Sequence, residues 1–162
     1  MSIVLRHNAL LELNVVDYRG AVTWAELRTL ADFQAANVAS LGRDCLNVID
    51  PNADFDAISF DALDALFAHY RKLFAPLDFT IARRAAWVCQ SQAAQAHMDY
   101  WLGGRDLREA MSSHVRQFAS FAEAGDWLLL SAEELAAVLR GDGLTEIERF
   151  EAPLRLARAA SA

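Results

Sequence analysis

Residues 45–66 read CLNVIDPNADFDAISFDALDAL. Cys45, Leu46, Val48 and Ile49 form a short apolar run broken only by Asn47. A run this short, rich in β-branched residues and closed by turn formers, suits a strand buried on both faces. Asp50-Pro51-Asn52 ends it, because proline has no N–H for the ladder and Asp and Asn favour turns. Ser59 is placed to cap the next helix, its hydroxyl accepting from an otherwise unpaired backbone N–H. Leu63, Leu66, Phe67, Tyr70 and Phe74 then fall on one helical stripe. Pro76 marks where that helix stops.

The flanking segments repeat this alternation. Leu11, Leu13 and Val15 alternate with Glu12 and Asn14, a half-buried strand that expects a short partner strand near Ile3 to Leu5. Thr23 and Glu26 make a capping-box signature for a helix that carries Leu27, Leu30, Ala31, Val38 and Leu41 and stops at Gly42. Arg84 to Cys89 reads as a further buried strand. Ser91 caps a helix from Gln92 to about Leu102, and the polar stretch from Arg105 to Ser113 adds a helical turn or two. His114 to Phe118 alternates as a last strand. Ser120 with Glu123 and Ser131 with Glu134 repeat the capping-box pattern before Gly141-Asp142-Gly143.

Strands alternating with helices predict an α/β fold with a mainly parallel sheet. The expectation is roughly five strands, the first two adding an antiparallel edge, covered by about four helices. The domain is expected over residues 1–129. Residues 130–162 are a helical or irregular extension packing on it or trailing from it, with Arg155 to Ala162 prone to fray.

At 162 residues and 54% apolar the chain is long enough for one domain with a substantial core. No apolar run approaches the roughly 20 residues that span a bilayer. The first residues carry no long apolar signal segment, so the expected compartment is the cytoplasm. Cys45 and Cys89 sit in apolar runs and read as small core residues rather than a disulfide. The net charge of −7 and scattered basic residues exclude nucleic acid as an expected partner. Arg83-Arg84 reads as two solvated arginines at a strand start, an anion contact at a sheet edge being the alternative.

Five aspartates lie between positions 50 and 64: Asp50, Asp54, Asp56, Asp61 and Asp64. Alternating loop carboxylates can ligate a hard cation, but the glycine and closing glutamate of an EF-hand are missing. Turn formation and negative charge near a helix N-terminus explain them as well, so no metal or other cofactor is expected.

Three pieces of the chain together resemble a STAS-type domain, specifically the SpoIIAA-like proteins grouped as STAS/SEC14-like. The first is the early strand ending at Gly20, followed by Val22-Thr23 and a helix. The second is the strand ending at Asp50, with a loop and a helix opening at Ser59. The third is Val115-Arg116-Gln117-Phe118, followed by a short helix with Ala124 and Trp127-Leu128. They span about residues 10–129. The resemblance implies a regulatory or protein-interaction module, an anion-transporter regulator, or a binder of small or lipid-like ligands. In partner-switching members a serine at the start of the corresponding helix is phosphorylated within an Asp-Ser-Ser-Gly motif. Ile58-Ser59-Phe60-Asp61 aligns Ser59 with that serine but lacks the second serine and the glycine. Ser59, Asp50 and Asp61 are therefore the candidate interaction or phosphorylation-like positions.

His7, His69 and His114 lie in unrelated segments and form no ligand pair. His97 shares a helix side with Ala94 and Trp101, where it either lines a pocket or is a hydrogen-bonded core-boundary residue. Trp24, Trp87, Trp101 and Trp127 occur in four elements and read as core anchors or as the wall of a hydrophobic pocket. His97, Trp87 and Trp101 are the candidate pocket residues. Cys89, Ser91 and His97 are the only local hint of a nucleophile and base, and no third group orients them. Gly103-Gly104-Arg105 lacks the spacing of a phosphate loop. No convergent catalytic set emerges. Together with the resemblance, that implies a non-enzymatic regulatory or interaction module with an unknown protein partner. A carrier or sensor of a small apolar ligand is the alternative. An exposed sheet edge or the C-terminal extension would support a homodimer.

Overall fold

The computed structural model describes residues 2–77, 83–103 and 114–150. The predicted polar stretch 105–113 and the tail 155–162 lie outside the described residues. One mixed sheet forms the centre. Its strands are β1 (Ile3–Asn8), β2 (Leu13–Tyr18), β3 (Asp44–Ile49), β4 (Arg84–Cys89), β5 (His114–Phe118) and β6 (Leu144–Phe150). Their spatial order is β5-β4-β3-β2-β1-β6. The β2–β3, β3–β4 and β4–β5 pairs are parallel, whereas β1 is antiparallel to both β2 and β6.

Six helices cover it among the described residues: α1 (Trp24–Ala36), α2 (Val38–Leu41), α3 (Phe60–Phe74), α4 (Gln95–Gly103), α5 (Phe121–Trp127) and α6 (Ala132–Arg140). Side-chain alternation sorts the strands between two faces. Val16, Tyr18, Cys45, Ile49 and Ala85 meet α1, α3 and α4 through Leu27, Leu30, Leu63, Leu66 and Trp101. Leu13, Val15, Leu46, Ala86 and Val88 meet α5 and α6 through Ala124, Leu128 and Val138. Burying each such leucine or valine stabilises the fold by about 1.5–3 kcal/mol. Among the described residues no helix is long and apolar enough to cross a membrane.

The expected strand near Ile3 to Leu5 runs from Ile3 to Asn8, and among the described residues the sheet holds six strands rather than about five. The additional strand is β6, which lies outside β1, so the edge belongs to the C-terminal segment rather than to the first two strands. Its sequence, LTEIERF, spaces Leu144, Ile147 and Phe150 three apart and hides the strand alternation. The reason is a bulge. Leu5 pairs with Glu148 while Arg6 pairs with Glu146, so Ile147 is the extra residue. The bulge reverses the phase, so Leu144 joins the α5–α6 side and Phe150 the α1–α3 side. Gly141, at φ 88°, ends α6 in the left-handed region that favours glycine and turns the chain into β6. Exposed Glu146, Glu148 and Arg149 place charges along this edge, which discourages strand addition by another chain.

The helix from Trp24 does not continue to Gly42. It breaks at Asn37, whose side-chain Nδ2 donates to the Phe33 carbonyl at 2.8 Å and competes with the helical ladder. The cap signatures hold locally. Thr23–Glu26 and Ser131–Glu134 are complete capping boxes, and the Ser59 and Ser120 hydroxyls accept from the amides of Ala62 and Glu123.

A candidate ligand cavity between the sheet and three helices

Trp87, His97 and Trp101 lie on the wall of one cavity between the sheet and the α1, α3 and α4 layer. The pleat explains which strand residues reach it. Cys45, Ala85 and Val115 form one row across β3, β4 and β5, and Asn47 and Trp87 form the next row on the same face. Tyr18 stacks on Trp87 with ring centroids 5.6 Å apart. From the helices, Leu63, Leu66 and Tyr70 of α3 and Met98 and Trp101 of α4 close the opposite wall. Trp101 in turn stacks on Phe67 at 4.1 Å.

The cavity measures about 50 Å³. A single water needs roughly 10–15 Å³ on this measure, and a cavity of about 150 Å³ takes a benzene. A few waters fit as it stands, and an organic tail enters only if side chains give way, as unbranched Met98 can.

Its two ends differ chemically. Toward the C-terminal end of the strands Tyr18, Phe55, Trp87 and His97 build an aromatic wall, whereas Trp101 lies beside Tyr70 with ring centroids 6.0 Å apart. At the N-terminal end Gln34, Cys45, Tyr70 and Arg83 bring polar groups. The Tyr70 hydroxyl donates to Gln34 Oε1 at 3.1 Å. Burial pushes the Cys45 thiol up to about 11 against the field of Arg83. Burial also pushes Tyr18 and Tyr70 well above the usual phenol range. All three are therefore neutral at physiological pH.

Two polar atoms in the wall are buried without a hydrogen-bond partner, Arg83 Nε and His97 Nδ1. Among the described residues Ser2 Oγ is the one other buried side-chain polar atom without a partner, so these two stand out. Arg83 was expected to be solvated, yet it is only 5% exposed. It shares strand parity with Ala85 and Trp87, and that parity is the signal that turns it inward. Asn47, read only as an interruption of the β3 run, lines the same cavity and donates to the Ala86 carbonyl at 3.4 Å.

The other candidate positions gather elsewhere. Ser59 and Asp61 are exposed at the start of α3, and Asp50 is half-buried at the end of β3. The Ser59 hydroxyl accepts from the Ala62 amide at 3.1 Å, and Asp50 Oδ1 accepts from the Asn52 amide at 3.0 Å. Asp54 likewise holds the Asp56 amide at 2.7 Å. These carboxylates shape turns, and no group of three or more His, Cys, Asp or Glu is placed to hold a metal among the described residues. Beside Ser59, Phe60 and Tyr100 are both exposed and stack at 4.5 Å. The Tyr100 hydroxyl donates to Asp64 at 2.8 Å.

The Cys89, Ser91 and His97 neighbourhood forms no relay. Cys89 Sγ donates to the Ser91 carbonyl at 3.3 Å, Ser91 Oγ to the Ala53 carbonyl at 2.6 Å, and His97 Nε2 to the Ile58 carbonyl at 2.8 Å. Each polar group is engaged with backbone instead of with the next side chain. Trp24 and Trp127 stand apart from the cavity. Trp24 Nε1 donates to the Ala62 carbonyl at 3.1 Å, and Trp127 packs on Phe118 on the far side of the sheet.

Comparison of the chain with protein-family models, with curated proteins and with solved structures finds no match.

Proposed function

We propose that this domain is a carrier or sensor of a small amphipathic ligand held between the sheet and helices α1, α3 and α4. The observation that carries the reading is an aromatic-lined cavity whose wall contains two buried polar atoms without partners, on Arg83 and His97. Ligand sites are mostly apolar with a few placed polar groups, which is this composition. The resemblance to STAS/SEC14-like domains, some of which bind lipid-like ligands, points the same way. Native mass spectrometry of the purified protein, set against the same sample denatured, tests it. Extra mass lost on denaturation supports the reading. A clean protein mass, with no Trp87 or Trp101 fluorescence change on titration with short amphipathic compounds, counts against it.

A second reading has its own observation. The exposed Phe60–Tyr100 stack beside Ser59 is an aromatic patch rimmed by Asp61 and Asp64, suited to a protein partner. On this reading the domain is a regulatory module of the SpoIIAA-like kind. Ser59→Asp and Phe60→Ala should each alter partner capture in a pull-down while the circular dichroism spectrum stays native. Unchanged capture for both removes that surface.

A further inference from the structure

Arg83 stands immediately before β4, buried, with its Nε unpaired and no carboxylate among the described residues as its partner. The acids nearest its neighbours are engaged elsewhere. Asp44 pairs with Arg84 at 2.5 Å, and Asp32 with His69 at 2.6 Å. Tyr18, Cys45 and Tyr70 feel the Arg83 charge, but burial keeps them protonated, so none supplies a counter-charge. A buried cation without a counter-ion is expensive, and Arg83 stands against a cavity with none among the described residues.

We propose that Arg83 anchors the head group of the ligand, and that the ligand is a monocarboxylate whose short apolar tail lies toward Trp87. This rests on the ligand-binding reading of the cavity. The planar guanidinium fork matches a carboxylate, and one negative charge neutralises one cation. A phosphate carries roughly −1.5 to −2 charge and would leave an excess in apolar surroundings. Gln34 accepts the Tyr70 hydroxyl at Oε1, so its Nε2 is a further donor at the same end. The distance from the Arg83 end of β4 to Trp87, about 13 Å along the strand, suits a head at one end and a tail at the other.

The test titrates the intact protein with butyrate, hexanoate and octanoate, with the matching primary alcohols, and with inorganic phosphate. Tryptophan fluorescence and amide chemical shifts report binding. The expected result is that at least one carboxylate binds at least about tenfold more tightly than its alcohol, and that phosphate does not compete. Arg83→Met should remove that preference and leave alcohol binding intact. Its thermal midpoint should stay level or rise, because a buried cation whose Nε has no partner has gone. Arg83→Lys should keep part of the preference. Equal binding of acids and alcohols would overturn the Arg83 assignment and leave the cavity reading standing. Binding of neither series would remove the cavity reading itself. Phosphate binding without carboxylate binding would overturn the monocarboxylate class. A fall in the Arg83→Met midpoint of more than about 5 °C would assign Arg83 a structural role instead.

Discussion

His97 Nε2 donates a hydrogen bond to the carbonyl of Ile58 at 2.8 Å. A carbonyl only accepts, so Nε2 carries the proton and Nδ1 is the nitrogen left unpaired in the wall. The same ring lies 6.0 Å from Phe55 in the cavity and 5.4 Å from Phe60 on the surface. It therefore joins the interior cavity to the exposed patch beside Ser59. His97→Ala should cost about 1–3 kcal/mol by leaving the Ile58 carbonyl without its partner. Urea unfolding measures the loss, and faster amide exchange should appear at the start of α3. An unchanged midpoint would show that the bond contributes nothing.

Ser59 caps α3 through the Ala62 amide. Replacing it by alanine should cost about 1 kcal/mol, whereas Ser59→Asp should fall within a few tenths of wild type, because aspartate caps equally well. Thermal denaturation of both variants separates the cap from any interaction role. Equal losses for the two would mean that the hydroxyl does something other than cap.

Alkaline stability follows from the buried phenols and thiol. The Cys45 thiol ionises at an ordinary value of 9.0 when unfolded and at about 11 when folded. Between those values the unfolded chain binds fewer protons, so stability is complete below pH 9 and is lost as pH rises through 11. Tyr18 and Tyr70 act in the same direction. Of the three tyrosines, only exposed Tyr100 should form phenolate while the helical signal persists. A phenolate titration in parallel with circular dichroism checks this, and all three ionising in a native fold would contradict it.

The two cysteines should react differently. Cys45 is buried and its thiol is pushed up, so at neutral pH a disulfide reagent should modify it only after unfolding. Cys89 is partly exposed, yet burial raises it too, so it should react slowly in the native protein. Counting modified thiols before and after denaturant resolves the order. Rapid modification of both would disprove the packing around β3.

A chain ending at residue 129 should not fold as a stable monomer. It lacks Val138 and Phe150, which are 2% and 3% exposed in the fold, and it bares the outer edge of β1. The nitrogen–proton spectrum of such a fragment should be poorly dispersed. A well-dispersed spectrum would show that α6 and β6 are dispensable.

Much of the scaffold was legible locally. The β3 run, the Asp-Pro-Asn turn, the Ser59 cap and the α3 stripe are short-range patterns, and their physics needs no distant partner. The same holds for the capping boxes at Thr23 and Ser131. Where local chemistry competed with pattern the reading failed, as at Asn37, whose side chain breaks the long predicted helix.

What only the tertiary structure decided depends on pairing and parity across elements distant in sequence. The LTEIERF segment is a strand because β1 offers an edge and a bulge absorbs Ile147. Trp87, His97 and Trp101 share a cavity because β4 and α4 both line it, whereas Trp24 and Trp127 are carried elsewhere. Arg83 reads locally as one of two solvated arginines. Only the sheet, by turning it to the same face as Ala85 and Trp87, makes it a buried cation without a counter-ion among the described residues. Composition and periodicity determined the layers of this protein. The cavity and its charge were decided by the register in which those layers met.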